Sequence, residues 1–247
     1  MKDLIKKAAR QLATSQAGKS VVSGSGDVQD FLQKVNAMPR PQGAKGATAH
    51  LVFALDATAS RQATWDRATQ LQSEMFVSTQ ATGGLQIQLC YFRGLGEFYR
   101  SDWHNDADNL LQQMAGLRCQ AGMTQIERLL RHAIEQNSRQ KLRGVIFIGD
   151  AMEENVDVLC QLAGQLGILN VPLFIFQERQ DPAAQRAFVE MARLSGGAYC
   201  HFDSASAEQL KDLLKAVALY ATGGLQALED FSRKSHQSVK LLGQQLK

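Results

Sequence analysis

His50-Leu51-Val52-Phe53-Ala54-Leu55-Asp56-Ala57-Thr58-Ala59-Ser60 is the stretch whose reading decides the fold. From His50 to Leu55 it is a short, continuous and almost wholly apolar run. Such a run fits a strand buried on both faces, as in a parallel sheet. At Asp56 the chemistry changes abruptly to oxygen donors. Alternation along an extended segment puts Asp56, Thr58 and Ser60 on one side.

The same pattern recurs downstream. Arg143 to Ile148 is a second buried strand that leads through Gly149 to Asp150, and Val171 to Phe176 is a third. Leu85 to Tyr91 and Ala198 to Phe202 also read as strands. Gly94 to Gly96 reads as a hairpin turn into a short edge strand at 97–100. Helical patterns fall between them at 61–80, 106–115, 124–137, 153–167, 182–195 and 206–220. Strands alternating with helices imply right-handed crossovers. The expected fold class is therefore α/β: a doubly wound, mainly parallel six-stranded sheet with one antiparallel edge strand and helices on both faces, Rossmann-like in outline.

Residues 48–221 form the expected body. Residues 1–47 read as a basic N-terminal extension. It comprises a helix over 1–18, a Ser/Gly-rich break at 19–27, a short helix over 28–36 capped by Asp27, and a linker at 38–46. Residues 222–247 read as an amphipathic C-terminal helix with Leu225, Leu228, Phe231, Val239 and Leu242 on or near one stripe. No internal repeat is visible.

The chain has 247 residues, enough for one full α/β core with flanking segments, and its apolar share of 45% is ordinary for a globular protein. Its net charge is +3, unevenly spread. Residues 1–47 carry eight Lys/Arg against three Asp/Glu, whereas 48–221 carry 15 against 19. A mildly acidic body with basic ends lacks the concentrated basic face of a nucleic-acid binder. Cys90, Cys119, Cys160 and Cys200 form no C-x-x-C pair and suit a reducing compartment. No apolar stretch follows Lys6-Lys7, and no run approaches the ~20 residues of a membrane span. A cytoplasmic protein is expected.

In open α/β sheets, ligands bind beyond the carboxyl ends of the strands. Three loops stand out there: Asp56-Ala57-Thr58-Ala59-Ser60, Gly122-Met123-Thr124 and Gly149-Asp150. Two carboxylates and three hydroxyls suit a hard cation with oxygen ligands, of which Mg2+ takes one or two carboxylates and keeps some waters. A softer metal would want His or Cys, and these loops hold neither. Alternatively, Asp56, Ser60 and Thr124 are helix caps.

The string Asp56-x-Thr58-x-Ser60, a Thr 64 residues on and an Asp 26 further resembles the metal-ion-dependent adhesion site of von Willebrand factor A (vWA) domains of the cytoplasmic bacterial type. The usual first motif is Asp-x-Ser-x-Ser, so Thr58 is a departure that keeps the hydroxyl. The resemblance spans roughly 48–221 and implies that Asp56, Thr58, Ser60, Thr124 and Asp150 hold Mg2+ or Mn2+, directly or through water. It further implies a protein–protein interaction module, in which a partner's Asp or Glu completes the metal shell. Partners of such bacterial members include AAA+ ATPases, chaperone-like proteins, kinases and phosphatases. The alternative is an assembly subunit that contacts its partners through its terminal helices, the ion only bracing the loops.

Catalysis is not expected, because no nucleophile, base or acid is evident near the ion, and neither a phosphate-binding Gly-rich loop nor a Ser-His-Asp set occurs at the strand ends. A phosphatase aspartate at Asp56 would want a second aspartate where Thr58 stands. Glu153 and Glu154 are expected in the first turn of the following helix, favouring its positive end. Trp103, His104, Asp106 and Asp108 are expected in a loop at the same rim, with helix capping by Asp106 as the alternative. His50 and His201 sit at strand edges.

Overall fold

The structure, a computed structural model, describes residues 33–35, 48–61, 85–202, 214–218 and 220–222. The helices expected over 1–18, over 61–80 and beyond 222 lie outside the described residues, apart from Arg61 itself. The strands are β1 (Ala49–Asp56), β2 (Leu85–Arg93), β3 (Glu97–His104), β4 (Leu142–Gly149), β5 (Leu173–Glu178) and β6 (Ala198–Phe202). The helices are α1 (Ala107–Ala115), α2 (Ile126–Arg139), α3 (Val156–Ile168) and α4 (Pro182–Leu194), with further helical residues at 214–218 and 220–221.

These strands form one six-stranded sheet in the order β3-β2-β1-β4-β5-β6. Every neighbouring pair is parallel except β2 with β3. This is the expected doubly wound sheet with one antiparallel edge strand. After β1 the chain pairs to one side as β2, and it later returns to the other side as β4. The topological switch point therefore lies between β1 and β4, whose register pairs Leu55 with Ile148. Asp56 and Asp150 leave adjacent strands just past that pair, where an open α/β sheet offers a crevice.

The apolar runs are explained by burial on two faces. Leu51, Phe53 and Leu55 of β1 enter one core with Leu110, Met114, Leu214 and Val217. Val52 and Ala54 enter the other, with residues of α2, α3 and α4. Ile146 and Ile148 of β4 divide from Val145 and Phe147 in the same way. From Leu51 to Leu55 and from Val145 to Ile148, alternate residues thus serve opposite cores, and no polar side chain interrupts either run. Val35, from the segment preceding the body, is fully buried in the first of these cores. Among the described residues no helix is long and apolar enough to cross a membrane.

Several boundaries differ from expectation, each for a local reason. β5 starts at Leu173 because the Val171 backbone N–H donates to Leu166 O and Pro172 has no N–H to offer. α3 starts at Val156 because Asn155 caps it, its side chain accepting from the Asp157 and Val158 amides. β3 runs on to His104, past the expected end at 100. Because β3 is antiparallel, this carries Trp103 and His104 back to the start of β2, opposite Gln88 and Ile87. The Trp103 ring meets His50 at the same end, 4.9 Å between centroids. Trp103, His104 and the α1 cap Asp106 therefore lie at the amino end of β1 and β2, not at the rim that holds Asp56. Asp106 accepts from the Asp108 amide, so the capping alternative holds there.

Candidate metal centre

Asp56 is the last residue of β1 and is fully buried. The chain then makes a tight turn in which the Thr58 amide donates to Asp56 Oδ1 at 2.8 Å. A single 3-10 turn follows at Ala59–Arg61. Backbone bonds fix this loop on its neighbours: Ala57 N donates to Phe92 O, and Gln120 N donates to Ala57 O, each at 3.0 Å. Thr58 also bridges to Gln120. The first loop is thereby tied to the loop that carries Thr124.

Four of the five expected residues join in one hydrogen-bonded chain. Thr58 Oγ1 and Ser60 Oγ lie 3.1 Å apart, and Ser60 Oγ donates to Asp150 Oδ1 at 3.0 Å. Asp150 is 3% exposed, so this contact draws two nearly dry carboxylates, Asp56 and Asp150, towards a single hydroxyl pair. Thr124 is buried as well, but it pairs with Glu153. Its hydroxyl donates to Glu153 Oε2 at 2.8 Å, and its amide donates to the same oxygen at 3.0 Å.

Glu153 and Glu154 correct the expectation made for them. Neither lies within α3. Glu153 holds Thr124, while Glu154 accepts from the Ile126 and Glu127 amides at 2.7 and 2.8 Å. Glu154 thus caps α2, whose own cap residue Gln125 makes no side-chain cap bond. Both glutamates serve the helix across the crevice instead of the one that follows them. A close backbone contact sets the other edge of the Thr124 loop. A Cβ at Gly122 would stand 1.8 Å from Gly94 O, so only glycine lets this loop lie on the β2–β3 turn.

Below the site is a residue that the sequence offered only as the start of a helix. Arg61 is fully buried. Its Nε donates to Glu178 Oε2 at 3.0 Å and its NH1 donates to Asp56 O at 2.6 Å. The pair clamps the carboxyl ends of β1 and β5 beneath the loop. A second arginine, Arg179, stands on the exposed side. Its NH1 donates to Ser60 O at 3.0 Å and lies 3.7 Å from Asp150 Oδ2.

Burial raises the Asp56 carboxyl from its ordinary value to about 6, against the opposing pull of Arg61 and of hydrogen bonding from Thr58. Burial also raises Asp150, against hydrogen bonding from Ser60 and the charges of Arg61 and Arg179. The Cys119 thiol, beside these carboxylates, is pushed up to about 11, mainly by burial, and is not a thiolate at neutral pH.

The residues present fit a hard divalent cation on one observation in particular. Asp56 Oδ2 is buried and has no hydrogen-bond partner among the described residues. A buried carboxylate oxygen left bare is costly, and a cation would satisfy it. Among the described residues no group of three or more His, Cys, Asp or Glu is gathered as a metal cage. The set here has a different composition, two carboxylates with hydroxyls, which matches Mg2+ better than a softer ion.

No family model matches the chain, and no curated protein matches it in sequence. Solved structures do resemble it. An aerotolerance-related membrane protein from Bacteroides fragilis superposes with a TM-score of 0.52 at 14% identity, covering 66% of this chain and 95% of that one. The SpRpn10 VWA domain gives 0.53 at 12%, covering 69% and 94%. The PilB minor pilin from Streptococcus sanguinis gives 0.56 at 9%, covering 74% of this chain and 64% of its own length. At these identities the likeness concerns fold alone, and with the sheet order above it establishes that this chain has the fold of von Willebrand factor A domains.

Proposed function

We propose that this chain is a metal-dependent protein–protein interaction module. Asp56, Thr58, Ser60, Thr124 and Asp150 would hold one Mg2+ or Mn2+, directly or through water. When bound, the ion offers an electrophilic coordination position that a partner's Asp or Glu carboxylate can fill. The observation that carries this reading is the bare, buried Oδ2 of Asp56 at the switch point of the sheet.

The protein's own residues prepare the site for recognition instead of turnover. Asp56 and Asp150 contribute negative charge, while Thr58 and Ser60 contribute neutral oxygens. Glu153 orients the Thr124 hydroxyl. The Cys119 thiol, which interacts electrostatically with both carboxylates, stays protonated. A hydroxyl-rich set leaves the centre electron-poor, which favours an incoming carboxylate.

The partner in this proposal is a component of a cytoplasmic bacterial multiprotein system: an AAA+ ATPase, a chaperone-like protein, a kinase or a phosphatase. Four cysteines, none of them in a disulfide, accord with such a setting. The test is retention of partners from native lysate on the immobilised full chain, with Mg2+ or with EDTA. A partner lost in EDTA and lost with Asp150→Asn supports the metal bridge. A partner retained equally in both overturns it.

A further inference from the structure

Two arginines neighbour the carboxylates of the site, and they are held very differently. Arg61 is fully buried and locked by Glu178 and by the Asp56 carbonyl. Arg179 has a side chain that is 59% exposed, on the solvent side of Asp150. Its backbone takes the left-handed region, φ 61°, an uncommon conformation for a side chain of this size. His201 Nε2 donates to the Arg179 carbonyl at 2.9 Å, anchoring the backbone. The backbone is thus fixed, and the guanidinium reaches back over the site to Ser60 O and Asp150 Oδ2.

This explains an asymmetry between the carboxylates. Both oxygens of Asp150 are answered, Oδ1 by the Ser60 hydroxyl and Oδ2 by the Arg179 charge. Asp56 Oδ2 is not. A divalent cation in the crevice needs Asp150, so it meets a positive charge already resident there.

We propose that Arg179 is a built-in competitor of the divalent cation, a displaceable guanidinium that holds Asp150 and thereby sets how tightly the site takes metal. The inference rests on the metal reading given above. It assigns Arg179 the regulation of metal occupancy, and so of partner binding. A unit charge several ångströms from a doubly charged ion weakens its binding by roughly fivefold to tenfold even at the dielectric constant of water.

Calorimetric titration of Mg2+ into the full chain at fixed ionic strength tests this, with wild type, Arg179→Gly and Arg179→Lys. Glycine accepts the left-handed backbone and removes the charge, whereas lysine keeps the charge. Melting curves without metal verify that all three are folded. Arg179→Gly is expected to bind Mg2+ roughly fivefold to tenfold tighter, and Arg179→Lys within about twofold of wild type. A merely structural role for Arg179 would weaken binding when removed, not strengthen it. If wild type binds Mg2+ and folded Arg179→Gly binds no tighter, the competitor role is overturned and the metal reading stands. Equal tightening in Arg179→Lys overturns it too, since charge would not be the cause. If none of the three binds Mg2+ or Mn2+, the metal reading falls and this inference falls with it.

Discussion

The Asp56 carboxyl is fully buried, and its pKa is pushed up to about 6, chiefly by burial. A folded-state value above the ordinary 3.8 means that the metal-free folded chain keeps a proton that the unfolded chain loses between about pH 4 and 6. Raising the pH through that window therefore destabilises the metal-free protein, and the loss is complete above about 6. Proton and cation compete for the same oxygen, so Mg2+ affinity falls as the pH drops below about 6. Denaturant unfolding across the window checks this, with Asp56→Asn as the control that removes this group's share of the slope. A wild-type slope identical to that of Asp56→Asn would contradict it. At this scale the sequence was informative for residues that sit where a buried run stops, because the stop itself marks the strand end. It was silent on Arg61, whose partner Glu178 lies 117 residues away. A charge beginning an apparent helix gives no sign that the fold will bury it.

Elements show the same division. Buried strands were legible because both faces of β1, β4 and β5 pack in cores and leave continuous apolar runs. The extent of β3 was not, because an edge strand that is only partly buried lacks that signature. The role of Glu153 and Glu154 was hidden for a related reason. Acidic residues just before a helix suggest its own positive end, but the crevice places them against the start of α2. Glu154 supplies two charge-assisted bonds to amides that would otherwise be unsatisfied. Glu154→Gln is expected to cost about 1 kcal/mol, in the range of a lost helix cap. It should also increase hydrogen exchange at the Ile126 and Glu127 amides ahead of the rest of α2. Unchanged exchange at those two amides would show that the cap is not needed.

Across the whole molecule, the site depends on strand ends staying in place, and the buried Arg61–Glu178 pair joins two of them. Removing one partner leaves an uncompensated buried charge. Arg61→Ala is therefore expected to cost roughly 3–5 kcal/mol, and a double change to Arg61→Met with Glu178→Leu considerably less. Chemical denaturation of the three proteins measures both, and a double variant no more stable than Arg61→Ala would contradict the pairing. The fold and the metal site meet most directly in thermal unfolding with and without Mg2+, comparing wild type with Asp56→Asn. At tenfold excess over the dissociation constant, the ion should stabilise wild type by about 1.4 kcal/mol. In Asp56→Asn the gain should vanish, while the metal-free variant melts at or above the wild-type temperature near neutral pH, because a buried charge with a bare oxygen is gone. Equal stabilisation of both proteins by Mg2+, or none in wild type, would contradict the cation site at Asp56.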